Sequence, residues 1–185
     1  MVGLPEWARA ARRRWRYRGG ERPSFAIEPA PGQRSVWDFP RPPVIEEVPG
    51  EVRVRSGGFV IGATRHALRV LETASPPTYY LPRTDVDLPL LREDSHRSHC
   101  EWKGEAVYWN LAMPDETVIL QVGWSYPDPY PEFAALTGHL SFYPGRVECF
   151  VGSERVRPQP GGFYGGWITS DLAGPFKGEP GVPGL

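Results

Sequence analysis

The sequence predicts a mostly β protein of small antiparallel sheets, with one short helix in the body, a helix near the N-terminus and long extended arms at both ends. Three observations carry that reading. Short runs that alternate apolar and polar residues recur from residue 51 onward. Turns rich in Pro and Gly join them. One stretch alone, residues 131–138, has the length and apolar spacing of a body helix. Half-buried strands paired through tight turns produce this pattern.

The elements follow in order. Residues 6–18 (EWARAARRRWRYR) place Trp7, Ala11 and Trp15 at helical spacing and carry six arginines against one acid. Residues 19–49 are dense in Pro and Gly, which discourages both ladder and helix, with Val36, Trp37 and Phe39 as anchors. In the body, EVRVR (51–55) and FVIGAT (59–64) flank a Gly-Gly step and read as a hairpin. RHALRVLE (65–72) fits strand or short helix, TYYLP (78–82) is a strand, and TDVDLPLLRED (84–94) reads as a turn with a helical stub. EAVYWNLAM (105–113) and TVILQVGW (117–124) form a second hairpin across Pro114, and Pro131 opens the short helix. HLSFY (139–143) and VECFV (147–151) read as a third hairpin around Pro144-Gly145. Residues 152–185 are Gly/Pro-rich but hold Phe163, Tyr164, Trp167 and Phe176, which predicts packing onto the body with only the end, from residue 181, loose.

This divides one domain into a basic helix and Pro-rich arm (1–49) lying on the body, a core β unit (50–151) and a C-terminal extension (152–185). At 185 residues the chain buries a core without a disulfide or metal, and its two cysteines make no disulfide framework. The net charge of −1 disfavours whole-molecule attraction to nucleic acid or anionic lipid. The arginine-rich helix is best read as a surface helix pairing with acids of the body. No apolar run reaches the roughly 18 residues of a membrane span, and no secretory signal is evident, so a cytoplasmic protein is expected. The oligomeric state is open. Of the 21 cations only Lys103 and Lys177 are lysines.

The densest polar cluster is residues 93–100. His96, His99 and Cys100 are zinc-type ligands, yet a structural site wants four ligands in two pairs and the second pair is missing; no metal or cofactor is expected. Cys100 beside two histidines also fits an imidazole-activated thiol. Asp85 and Asp87 have the D-x-D spacing that holds Mg²⁺ in nucleotidyl transfer, without the upstream Gly-Ser turn that accompanies it. Gly123-Trp124-Ser125-Tyr126-Pro127 lacks the second glycine of a nucleophile elbow. An aromatic group around one lysine is the remaining signal. Trp102, Lys103, Tyr108, Trp109, Trp124 and Tyr126 lie in or beside the central hairpin, where paired strands bring opposite side chains within about 5 Å. Such rings suit a flat or cationic ligand. The expected site is Trp102, Lys103, Trp109, Trp124 and Tyr126, with His99 and Cys100 at the rim.

The same stretches carry a resemblance. His96-Arg97-Ser98-His99-Cys100-Glu101-Trp102-Lys103-Gly104 resembles the Cys-Pro-Trp-Lys-Gly stretch of the bacterial domain-of-unknown-function 427 family, with Glu101 standing where that family has proline. Residues 124–148, 65–82, 35–40 and 166–171 are similar to further segments of it. The resemblance implies a small twisted β fold of the β-tent kind and no established activity, although a nucleotidyltransferase name is attached to the family. Zinc proteins of related fold carry paired Cys-x-x-Cys motifs, which this chain lacks. Other β-tent folds hold flat ligands in a tryptophan cage, by fold analogy. Two functions follow as expectations: binding of a nucleoside- or cation-like small ligand in an aromatic pocket, or an enzyme of nucleotidyltransferase or thiol type using Asp85 and Asp87 or Cys100.

Overall fold

In the computed structural model, which describes residues 4–182, the chain is mostly β. The N-terminal arm holds helix α1 (Glu6–Arg14), strand β1 (Arg34–Ser35) and a 3₁₀ turn (Val36–Asp38). The body holds β2 (Val44–Glu47), β3 (Val52–Ser56), β4 (Phe59–Thr64), β5 (Leu68–Glu72), β6 (Ser75–Pro82), β7 (Leu91–Cys100), β8 (Gly104–Ala112), β9 (Val118–Ser125), β10 (His139–Phe142) and β11 (Glu148–Val151). The extension adds β12 (Glu154–Arg155), β13 (Arg157–Pro158), β14 (Trp167–Ile168) and β15 (Leu172–Ala173). A seven-stranded antiparallel sheet runs β2-β5-β6-β10-β9-β8-β7, and a four-stranded one runs β12-β11-β3-β4. No described helix is long and apolar enough to cross a membrane.

The two sheets face each other over the main core. Val52, Val54, Ile61 and Cys149 of the smaller sheet pack with Leu81, Leu111, Val122, Leu140 and Phe142 of the larger. The arms build a second core of their own: Val36, Trp37 and Phe39 meet Leu71, Ile168, Leu172 and Phe176. The Trp37 indole donates to the Pro175 carbonyl at 3.0 Å, and β1 pairs in parallel with β15, tying the two ends of the chain together. Arm aromatics separated by more than a hundred residues thus share one interior, which explains why both flanks keep large rings in Gly/Pro-rich sequence.

Several elements differ from the sequence reading. Helix α1 stops at Arg14, short of the expected residue 18, because Trp15 turns to extended backbone; Arg12 does pair with an acid of the body, Glu132 at 3.2 Å. The 65–72 stretch is strand β5. Residues 91–100, which the sequence divides between a turn with a helical stub and a polar cluster, are a ten-residue edge strand; with a partner on one side only, its side chains are free to be polar, so no alternation marks it. Residues 131–136 form 3₁₀ turns kinked at Phe133, not an α-helix. Segments 139–143 and 147–151 do not pair as a hairpin. β10 joins β6 and β9, whereas β11 joins β3 and β12, so the Tyr143–Val147 turn carries the chain from one sheet to the other. Of the end expected to be loose, residues 183–185 lie outside the described residues.

Candidate functional site

Strand register sets the site. Tyr80 on β6 sits opposite Ser141 on β10, Ser141 opposite Trp124 on β9, and Trp124 opposite Tyr108 on β8. Because side chains alternate across a sheet, this row shares one face, and the next row (Leu81, Leu140, Ser125, Val107) points to the opposite face, where Leu81 and Leu140 join the main core. The polar-aromatic row lies on the face away from the smaller sheet. Gly123 makes the row possible: a Cβ there would stand 2.4 Å from the Ser141 carbonyl oxygen.

At the β7–β8 turn, Trp102 and Lys103 fold over one end of the row, and the Lys103 carbonyl accepts from the Tyr130 backbone at 3.1 Å. Tyr126 and Phe133 stand beside the Lys103 ammonium, at 6.0 and 5.8 Å. Cys100 and Ser98 join from β7, where the Ser98 and Tyr108 hydroxyls lie 2.8 Å apart and the His96 ring rests on Tyr108. The N-terminal arm packs against this turn. The Trp15 indole donates to Glu101 at 2.9 Å, and Arg12 donates to the Glu101 and Trp102 carbonyls while its guanidinium covers the Trp102 ring at 4.8 Å. The C-terminal extension closes one side. Gly165 passes so near Trp124 that a Cβ would meet the indole at 2.1 Å. Gln159 accepts from Gly166 and donates to the Lys177 carbonyl, holding the extension in place.

These residues enclose a cavity of about 170 Å³. Its wall includes Tyr80, Trp102, Lys103, Trp124 and Tyr126, with Cys100 half-buried in the wall and His99 among the lining. The His99 ring itself is half-exposed and pairs with Glu105 at 3.1 Å. Trp109 is not part of it. One residue out of phase with Tyr108, Trp109 turns to the opposite face, donates to Ser125 at 3.0 Å and lies under the Arg83 guanidinium. The sequence reading missed Tyr80, Tyr143, Gln159 and Lys177, all brought in from other segments. For Lys177 a signal was present, since it is the only lysine besides Lys103.

Several buried polar atoms here have no partner among the described residues: the Tyr80 and Ser141 hydroxyls, both wholly buried, and the Trp102 indole nitrogen. Thr78 and the Trp124 indole are near the Tyr80 hydroxyl, neither in hydrogen-bonding geometry. Burial pushes the Tyr80, Tyr126 and Tyr143 hydroxyls up, so they remain protonated donors. Burial alone would pull the Lys103 ammonium down. Against that, charge on Cys100 and Tyr80 when they are ionised, and on the Glu72 and Glu101 carboxylates, raises it.

Asp85 and Asp87 lie in the β6–β7 connection, outside the cavity; Asp85 accepts from the Thr64 and Thr84 hydroxyls, and the Asp87 amide donates to Ile61. Among the described residues no three His, Cys, Asp or Glu side chains gather as metal ligands would. The two thiols differ in setting: burial raises Cys149 well above its ordinary value, whereas Cys100 lines the cavity. Iodoacetamide at about pH 8 is therefore expected to label Cys100 alone in the native protein and both cysteines once it is unfolded. Native labelling of Cys149 would contradict this placement.

No curated protein matches the chain. Residues 44–153 match the family described as Domain of unknown function (DUF427). That span supplies the sheet face and the β7–β8 turn, while Trp15, Gln159, Tyr164, Gly165 and Lys177 lie beyond it on the two arms. With the match covering more than half of its length, the chain belongs to the DUF427 family.

Proposed function

We propose that the protein binds a small, flat molecule in the cavity between the sheet face, the β7–β8 turn and the C-terminal extension. The observation that carries this is the Tyr80 hydroxyl, wholly buried and without a hydrogen-bond partner, on a side chain that lines an aromatic hollow. An unsatisfied buried polar group costs about 1–3 kcal/mol, and such groups in native proteins usually have a reason to be there. A bound molecule offering an acceptor supplies one. The aromatic wall favours a planar body, as in a nucleobase-like ring, and the ammoniums of Lys103 and Lys177 speak against a cation. Both cysteines are free, which fits a reducing cytoplasm.

The test uses Tyr80→Phe and Trp124→Ala. Removing only the hydroxyl leaves shape and packing intact, so Tyr80→Phe is expected to be as stable as the parent, or more stable by about 1 kcal/mol, in denaturant unfolding. A library of planar heteroaromatics, screened by thermal shift, is expected to stabilise the parent and to lose that effect in Trp124→Ala. Tyr80→Phe unfolding more easily than the parent would mean that the hydroxyl serves the fold, and the proposal would fail.

A second reading has one observation in its favour: Cys100 lines the same cavity, and Lys103 interacts with it electrostatically. A cavity-directed thiol chemistry would use that pair. Asp85 and Asp87, outside the cavity, lend no comparable support to nucleotidyl transfer.

A further inference from the structure

The chain's two lysines come from positions 74 residues apart, yet both line this cavity. Each is more than nine-tenths buried. Among the described residues, neither ammonium lies within 4.0 Å of a carboxylate. Both face rings instead: Lys177 is 4.3 Å from the centres of Trp15 and of Tyr164, and Lys103 stands near Tyr126 and Phe133. The two carboxylates in the wall are engaged elsewhere, Glu72 by Arg41 at 3.0 Å and Glu101 by the Trp15 indole at 2.9 Å.

Burying an ammonium carries a penalty of several kcal/mol. A facing ring returns about 0.5–2 kcal/mol of that and accepts none of the three N–H bonds in ordinary geometry. Two such groups at one hollow leave a local excess of N–H donors, with the Glu72 and Glu101 carboxylates acting on Lys103 only from beyond 4.0 Å. The chain has nineteen arginines and places its only compact, pivoting cations here. A cavity of about 150 Å³ admits benzene, so the present one, near 170 Å³, takes a single ring with a small substituent.

Resting on the reading of the cavity as a ligand site, we propose that its ligand is a single-ring anion, whose carboxylate or phosphate gives Lys103 and Lys177 the direct ionic contact they lack while the ring lies against Trp124 and Tyr126. The shared chemistry is an anionic head on a planar body.

Tryptophan fluorescence and thermal shift with benzoate, phenyl phosphate, benzylamine and benzyl alcohol separate the possibilities. At least one of the two anions is expected to bind, with the amine giving no response. Lys103→Met and Lys177→Met are each expected to weaken the anion at least tenfold, and to leave any weak response to benzyl alcohol unchanged. Comparison of benzoate with phenyl phosphate identifies the head group. Should Lys103→Met fail to fold, Lys177→Met carries the same comparison, because its lysine lies on the extension and not in the β7–β8 turn. Benzylamine or benzyl alcohol binding as tightly as the anions would overturn the anion assignment and leave the ligand site standing. Silence from all four, together with a silent heteroaromatic library, would remove both.

Discussion

Arg41→Ala is expected to lower the unfolding free energy by about 3–5 kcal/mol, the range for removing one partner of a buried ion pair. The Arg41 side chain is 1% exposed. Its guanidinium donates to Glu72 at 3.0 Å, to the Thr73 carbonyl at 2.8 Å and to the Tyr17 carbonyl at 3.0 Å, and it lies 3.7 Å over the Trp15 ring. It therefore joins the N-terminal arm to the β5–β6 turn and seats the Trp15 indole that faces the Lys177 ammonium. Truncation strands the Glu72 carboxylate and two carbonyls at once. Arg41→Met combined with Glu72→Met should recover part of the loss, since no carboxylate is then left unpaired, but not all of it, because the Thr73 and Tyr17 carbonyls stay orphaned. Urea unfolding of the parent and these two variants measures this. A loss below about 1 kcal/mol in the single variant, the scale of an exposed pair, would show that the arm is not anchored there.

The C-terminal extension makes a matching prediction. Trp167 is wholly buried, stacks on Tyr79 with ring centres 4.8 Å apart, and donates its indole N–H to the Phe142 carbonyl at 2.8 Å. Trp167→Ala is expected to cost about 3–5 kcal/mol through the cavity left behind. Truncation also leaves the Phe142 carbonyl without that bond, which Trp167→Phe shares while keeping most of the volume. The phenylalanine variant should therefore fall between parent and alanine in thermal unfolding. Equal stability of all three would mean that residues beyond 153 add nothing to the folded core.

How far the sequence announced all this depends on the kind of interaction. The β3–β4 and β8–β9 hairpins were legible because alternation and a tight turn are local features that persist in the fold. The 139–151 segment carries the same local signs, an apolar run on each side of Pro144-Gly145, and yet its halves enter different sheets. Partner choice is a tertiary property, and no local pattern reports it. β7 was obscured for the opposite reason: at a sheet edge, Glu93, Asp94 and Arg97 meet solvent, so the strand does not look like one.

Half of the site was visible in the same way. Trp102, Lys103, Trp124 and Tyr126 cluster around one hairpin, and the hairpin does bring them together. Trp109 was grouped with them by proximity, although neighbours along a strand face opposite sides. Only the register with Gly123 and Trp124 decides that Tyr108, not Trp109, meets the cavity. Trp15 and Lys177 reach the site through arms whose path is set by the Trp37 core, and long-range closure of that kind leaves no periodic trace.

A high-resolution crystal structure of the protein with the best-bound planar anion tests the central claim most directly. The account predicts the ligand ring against Trp124 and its anionic head at Lys103 and Lys177, with an acceptor hydrogen-bonded to the Tyr80 hydroxyl. A hollow closed by side-chain repacking, or filled by ordered waters that satisfy Tyr80, Trp102 and both lysines while the anion sits elsewhere, would contradict it.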